Sequence, residues 1–339
     1  MGTAPIDLQN KLFYHPDKLE EFFRTGNTTP VTWELDPTNR CNHSCIGCYA
    51  AGAGGRTNDD SLTWEQAKSY VDQVYDLGAK AINLTGGGDP MVNKITPRLI
   101  EYIKSLGLDV GMITNGTIFT DESIDIVVKN CTWVRISMDG GISEVYTEIR
   151  KVSERHFYLA FENMTKLVKR KKELNSNITI GSGFLTSELT VPSLVKYGEL
   201  CKKAGIDYIQ IRPFHGDYTI PYNIEETLAL VDQNFKIHYS KNKYEEGYRK
   251  KYPKCLAQNF SGVINVHSVY LCCHFRGVET KKLGDLREKT LLEIWAGRKR
   301  MIVLEELNLD KCIAHCRLDL VNRQLQDMLD SVPDHVNFI

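Results

Sequence analysis

No apolar run in the 339-residue chain approaches the length of a membrane span, and the opening stretch Met-Gly-Thr-Ala-Pro-Ile-Asp lacks the apolar core of a signal peptide. Those two absences argue against an integral membrane or exported protein and lead us to expect a soluble, cytoplasmic one. Neither sign of charge dominates. Lys and Arg number 42 against 43 Asp and Glu, a net charge of −1, so no overall basic field is present to draw nucleic acid. With 42% hydrophobic residues, the chain has material for one large domain plus a smaller one. What it does have is cysteine, ten in all. In a short secreted chain these would predict disulfides; in a long chain without a secretory signal they predict metal ligation in a reducing compartment.

Three of the ten stand together in Arg40-Cys-Asn-His-Ser-Cys-Ile-Gly-Cys-Tyr49. The spacing of Cys41, Cys45 and Cys48 lets three thiolates converge on one site and leaves a fourth position open. A closed structural zinc site takes four protein ligands, and neither a fourth Cys nor a suitably spaced His completes one nearby; His43 stands too close to its neighbours for a standard pair. Three thiolates with a vacant corner suit a four-iron, four-sulfur cluster whose last iron binds something exchangeable.

Further along, strand-like runs alternate with segments of helical period. Strands are expected at Thr32–Pro37, Ala81–Thr85, Asp109–Thr114, Trp133–Met138, Ile178–Leu185 and Tyr208–Phe214. Helices are expected near Leu62–Leu77, Thr96–Leu106, Asp121–Asn130, Ser153–Leu174 and Val191–Ala204. Six strands joined this way predict parallel right-handed βαβ units, and the pattern stops after Phe214, short of an eight-stranded barrel. Ligands are then expected at the carboxyl ends of the strands.

The cysteine spacing and the six-strand pattern both resemble the radical S-adenosylmethionine (SAM) enzymes. That resemblance implies an α/β fold, a partial (β/α)6 TIM-like barrel over 31–216, after an N-terminal extension over 1–30. It also implies that SAM chelates the open iron of the cluster held by Cys41, Cys45 and Cys48. Thr85-Gly-Gly-Gly-Asp-Pro90 resembles the glycine motif that approaches the SAM methionine group, with Gly86, Gly87 and Gly88 allowing close backbone approach and Asp89 where Glu is commoner. Asn115, Ser137, Asp139 and Arg150 fall in segments that resemble other SAM contacts. Asn-Gly and Asp-Gly are also ordinary turn dipeptides, and Arg150 could be a solvated helix-end arginine. The family's aromatic residue just before the third cysteine is replaced by Gly47, with Tyr49 just after it. Adenine contact is therefore expected from elsewhere, around Ile211–Phe214.

Cys255, Cys272, Cys273, Cys312 and Cys316 lie beyond the barrel pattern. With Leu283-Gly-Asp-Leu286 and Leu291-Leu-Glu-Ile-Trp295, they resemble the C-terminal extension called SPASM or, when shortened, twitch. This implies an auxiliary [4Fe-4S] domain over 254–339, joined to the barrel by a linker over 217–253. Adjacent side chains diverge, so Cys272 and Cys273 are not expected to ligate one cluster together; Cys272 fits the family's pattern, Cys273 stays open, and structural zinc is the competing reading. Cys131 and Cys201 read as core thiols. Ser261-Gly262 reads as a turn, and Lys236–Lys254 as a surface helix or linker.

The resemblance implies a radical SAM enzyme fed by an electron donor such as flavodoxin or ferredoxin. A single auxiliary cluster looks closest to the twitch enzymes that act on aminocyclitols and sugars in antibiotic biosynthesis. The expected reaction is oxidation of a secondary alcohol on a small-molecule substrate, with the auxiliary cluster as electron acceptor. Redox-neutral sugar or nucleoside chemistry and peptide modification remain as alternatives. Arg150 and Arg212 are the candidates for catalytic base or substrate anchor, with His215 and Tyr218 on the same loop.

Overall fold

The computed structural model describes residues 10–48, 50, 60–314 and 316–330. The expected strands are β1 (Thr32–Asp36), β2 (Ala81–Leu84), β3 (Asp109–Thr114), β4 (Trp133–Ser137), β5 (Thr179–Thr186) and β6 (Tyr208–Pro213). They lie side by side in chain order, every pair parallel. Helix α1 (Pro16–Thr25) precedes them, and α2 (Trp64–Asp76), α3 (Thr96–Ser105), α4 (Asp121–Asn130), α5 (Ser143–Arg150), α6 (Arg155–Glu173) and α7 (Leu194–Ala204) fall between or after them. Capping explains several helix starts. Thr63 accepts from the Gln66 N–H while the Gln66 side chain accepts from the Thr63 N–H, and Thr120 with Ser123 repeats the arrangement.

Three sequence expectations need correction. The tract Lys236–Lys254 is not a surface helix, and 217–253 is more than a linker. It carries α8 (Ile224–Leu228) and then β7 (Lys236–Tyr239), a seventh parallel strand on the outer side of β6. Its four residues, Lys-Ile-His-Tyr, are too few and too polar to announce a strand; pairing with β6 makes it one. Secondly, Arg150 does end a helix, α5 between β4 and α6, but it is buried and not solvated. Thirdly, Ser261-Gly262 is no turn. It opens β8 (Ser261–Asn265), which runs parallel to β1 with Gly262 opposite Trp33. A Cβ on Gly262 would sit 2.3 Å from the Trp33 ring, so only glycine lets the indole lie across that strand.

Strand β8 leads antiparallel into β9 (Ser268–Tyr270) and β10 (Lys282–Asp285), giving one ten-stranded sheet ordered β10-β9-β8-β1-β2-β3-β4-β5-β6-β7. The C-terminal hairpin thus grows directly on the barrel's first strand. Helices α9 (Leu291–Trp295), α10 (Arg298–Glu305) and α11 (Asp319–Asp330) complete this end. Trp33 and Trp295, both fully buried, meet edge to face at 5.1 Å and tie α9 to the strand pair. Among the described residues no helix is long and apolar enough to cross a membrane.

Candidate functional site

Strand β1 ends at Asp36, and the cysteine loop begins there. Thr38, fully buried, accepts the Arg40 N–H at 3.0 Å and contacts the Ser61 hydroxyl at 2.5 Å. From below, the glycine run after β2 is laced to the loop: the Gly88 N–H donates to the Thr38 carbonyl and the Asp89 N–H to the Arg40 carbonyl, each at 3.0 Å. A Cβ on Gly88 would lie 2.0 Å from the Arg40 carbonyl oxygen. The glycine is required here for backbone packing against the residue before Cys41. From the side, the Ser44 and Ile46 N–H groups donate to the carbonyls of Arg150 and Ile149 at the end of α5. The ring of His43 stacks on His156 at 5.1 Å. Three neighbouring elements therefore fix the loop before anything binds.

Asp89 is the hub beneath. Its carboxylate accepts from the Thr114 hydroxyl, the Asn115 N–H and the Met91 N–H. Asn115 in turn bonds Asn42, in the loop, at 2.8 Å. Asp89 and Asn115 thus hold the cysteine loop, and neither lines the central cavity described below, nor do Gly87 and Gly88. Gly86, Ser137, Asp139 and Arg150 do line it. Tyr49 lies outside the described residues. Arg150 is buried, and each of its three guanidinium nitrogens has a partner: Nη2 donates to Asp139 at 2.7 Å, Nε to the Met138 carbonyl at 3.2 Å, and Nη1 reaches the Cys45 sulfur at 3.5 Å. Burial opposes its charge, but Asp139 and Cys45 outweigh that and hold its pKa above the usual value. It is a permanent cation beside Cys45 and has no means of acting as a base, in contrast to the first of the two expectations for it. Asp139 adopts φ 58°, and its other oxygen accepts the Leu185 N–H at 2.7 Å.

The second thiol set gathers at the end of β9 and around the start of α11. Cys272 is extended, with φ −158° and ψ 173°, so its side chain and that of Cys273 leave on opposite sides. Burial, then the thiols of Cys273, Cys255 and Cys316, push the Cys272 thiol well up. Burial, then Cys255, brings Cys316 up to about 12. Cys312 acts on Cys255, and the loop it opens is gripped by Lys250, whose ammonium donates to the Ile313 carbonyl at 2.8 Å. Asn322 reaches the Cys255 sulfur at 3.7 Å and the Leu318 N–H the Cys316 sulfur at 3.3 Å. Thiols crowded together in a buried place, each made harder to ionise by burial and most by a neighbouring thiol, suit a group that takes them all as thiolates. Among the described residues no group of three or more His, Cys, Asp or Glu is set around a single ion. The fit of Cys255, Cys272, Cys312 and Cys316 to a cluster therefore rests on donor chemistry. Cys273 is affected next, after burial, by Arg317, and it faces a different space.

That space is a cavity of about 380 Å³ at the carboxyl ends of the strands. Cys45, Cys48 and Cys273 all line it, together with Arg135 and Ser137 of β4 and Gln210 and Arg212 of β6. The expected His215 and Tyr218 lie on its wall. Of Ile211–Phe214, Ile211 goes into the core, whereas Phe214 reaches the cavity, its ring 3.0 Å from where a Gly47 Cβ would stand. Gly47, at φ 66°, makes the room that an aromatic side chain on the loop would have filled.

Residues that sequence reading passed over complete the wall. Glu34 of β1 pairs with both Arg276 and Arg317, and Arg276 also donates to Asp36 at 2.6 Å. Asn265 joins Asp36 and Asn39. This buried network bolts the C-terminal segment onto the strand that delivers the first cysteine loop. Alternation along β1 would have flagged Glu34 and Asp36 as sharing one face, as it would Arg135 with Ser137 and Gln210 with Arg212.

The profile of the radical SAM superfamily matches residues 35–191, and that of the SPASM iron–sulfur cluster-binding domain matches 255–317. An AdoMet-dependent heme synthase from Methanosarcina barkeri is 24% identical over 298 residues, 78% of this chain and 81% of that protein. A probable GTP 3′,8-cyclase from Methanothermobacter marburgensis is 31% identical over 122 residues, 36% of this chain and 39% of its own length. In fold, SuiB of Streptococcus suis bound to its precursor peptide SuiA superposes with a TM-score of 0.66 at 14% identity, covering 93% of this chain and 78% of SuiB. The protein in "Native anSMEcpe with bound AdoMet" gives 0.57 at 16%, covering 84% and 86%.

Proposed function

The chain is a radical SAM enzyme of the SPASM/twitch group, with a SAM-binding [4Fe-4S] cluster and an auxiliary iron–sulfur cluster, and from that premise we propose that it oxidises a secondary alcohol of a small carbohydrate-type substrate. Cys41, Cys45 and Cys48 hold the first cluster; Cys255, Cys272, Cys312 and Cys316 hold the second. When bound, these groups with SAM supply a carbon radical that takes one hydrogen atom from the substrate, and an acceptor for the electron that leaves next. The observation that carries this reading is that one cavity is lined both by Cys45 and Cys48 of the first cysteine set and by Cys273, the neighbour of Cys272. A substrate lying in it borders the first cysteine set and the residue next to Cys272.

The chain's own residues set the terms. Arg150 fixes the charge beside Cys45, and the glycine strap holds the loop. Phe214 offers an aromatic face for the adenine. Lys243 is on the wall, and burial followed by Arg212 brings its pKa down to about 8, so it is able to take the hydroxyl proton. The balance is one hydrogen atom to the SAM-derived carbon, one proton to Lys243 and one electron to the acceptor, leaving a ketone. The test is a product screen with sugars, sugar acids, sugar phosphates and cyclitols on reduced, anaerobically reconstituted enzyme. A product lighter than its substrate by two hydrogens supports oxidation; turnover with unchanged mass rejects it.

Cys273 favours one second reading. As a thiol on the cavity wall outside the proposed ligand set, it can give a hydrogen atom to a substrate radical and be restored by one electron from the external donor and one proton. Product of unchanged mass in ordinary water that becomes one mass unit heavier in deuterium oxide, lost in Cys273→Ala, would establish that epimerisation in place of oxidation.

A further inference from the structure

The cavity holds more guanidinium than its own carboxylates answer. Arg135, Arg150, Arg212, Arg276 and Arg317 line it against Glu34 and Asp139. Three of the five are matched: Arg150 by Asp139, and Arg276 and Arg317 by Glu34. Among the described residues Arg135 has neutral partners and no carboxylate, donating from Nη1 to the Gln210 amide oxygen at 2.6 Å and lying against the Tyr208 hydroxyl. The Arg212 guanidinium makes no hydrogen bond or ion pair among the described residues. It stands half-buried on the cavity wall, and the charge of Asp139 that reaches it is already bound to Arg150.

One strand separates them. Arg135 is on β4 and Arg212 on β6, with β5 in the middle. On β5, Gly183 pairs with Gln210 and presents no side chain, so the Arg135 stem lies 3.8 Å from where its Cβ would be. Burial and then the charge of Arg135 bring the pKa of Arg212 down to about 10. Two like charges facing one cavity without a counter-ion are costly, and the cost is relieved when an oxyanion enters. The guanidinium fork matches the oxygens of a carboxylate or phosphate with paired hydrogen bonds.

We propose that Arg135 and Arg212 form the site that binds an oxyanion of the substrate, a carboxylate or a phosphate, and so anchor it in the cavity. This builds on the reading of the cavity as the radical site. It narrows the substrate to an acidic or phosphorylated molecule and disfavours an aminocyclitol, whose ammonium groups would meet the same two guanidiniums.

SAM also carries a carboxylate, so the test keeps the two apart. Inorganic phosphate and acetate are titrated calorimetrically into reconstituted holoenzyme already saturated with SAM, and SAM affinity is measured separately by equilibrium dialysis. We expect the wild type to bind at least one anion. Arg135→Gln and Arg212→Gln should each weaken that binding about tenfold, the scale of one charge-assisted hydrogen bond, with Arg212→Lys intermediate and SAM affinity unchanged in all three. Stronger phosphate binding assigns a phosphorylated substrate, stronger acetate binding a carboxylate. No anion binding by the wild type, or binding unaltered in both Gln variants, overturns the site. So does a tenfold loss of SAM affinity in Arg212→Gln, which would assign the arginine to SAM. Reductive SAM cleavage by the wild type is read independently: its failure alongside intact anion binding would overturn the radical reading and leave this site standing.

Discussion

At the scale of single residues, the glycine after β2 and the arginine ending α5 do different work for the same three thiols. Gly88 fails to tolerate a Cβ because backbone atoms of Arg40 already occupy that place. Gly88→Ala is therefore expected to push the cysteine loop away and lower the iron content of the first cluster, with SAM affinity falling as a consequence. Iron and sulfide analysis on reconstituted protein checks it, and full iron with normal SAM binding would show that the strap is only a turn. Arg150 acts through charge. Arg150→Met removes the cation 3.5 Å from the Cys45 sulfur and leaves Asp139 buried without its partner. The loss of a buried ion-pair partner costs about 3–5 kcal/mol, so lowered stability and poorer cluster retention are both expected. Arg150→Lys should recover only part, because one ammonium cannot serve Asp139, Met138 and Cys45 together. Thermal melts alongside iron analysis separate the two effects.

At the scale of elements, the first cysteine set sits in one loop and the second is gathered from separate segments. The first hangs on β1, β2 and α5, and the second on the β9 end and α11. Replacing Cys41, Cys45 and Cys48 together by Ala is expected to leave about four of some eight irons and to abolish SAM cleavage. Replacing Cys255 and Cys312 should also leave about four, but with SAM cleavage continuing while oxidised product disappears. Zinc at the C-terminal set in protein prepared without oxygen would contradict the ligand assignment. The contact between the two halves is also an element-level feature: β8 pairs with β1, and Arg276 and Arg317 reach across to Glu34 and Asp36. Arg276→Met strips Asp36 of its guanidinium and is expected to cost about 3–5 kcal/mol. Its effect should be read as a fall in the denaturation midpoint of the apoprotein. A midpoint unchanged from wild type would mean that the network does not hold the halves together.

At the scale of the whole molecule, the continuous sheet matters most. Because the C-terminal hairpin extends the same sheet, Cys273 and the segment with Ile313 and Arg317 come to line the same cavity as Cys45 and Cys48. The sequence by itself determined the barrel and the chemistry of its first loop. Strands of apolar alternation, capped helices and a three-cysteine spacing are local signals, and Thr63, Thr120 and Cys41 can be read without knowing their neighbours. It also marked five C-terminal cysteines and the divergence of Cys272 from Cys273. Tertiary structure alone decided which way each of those two turns, because φ and ψ at Cys272 come from its place at the end of β9. It also decided that Lys236–Tyr239 is a strand, since so short a run, half of it Lys and His, becomes one only beside β6. Arg135 and Arg212 lie 77 positions apart in the sequence, and they face one space because the sheet sets their strands on either side of β5. Charge in a cavity is a sum over strands, and no local stretch of sequence contains that sum.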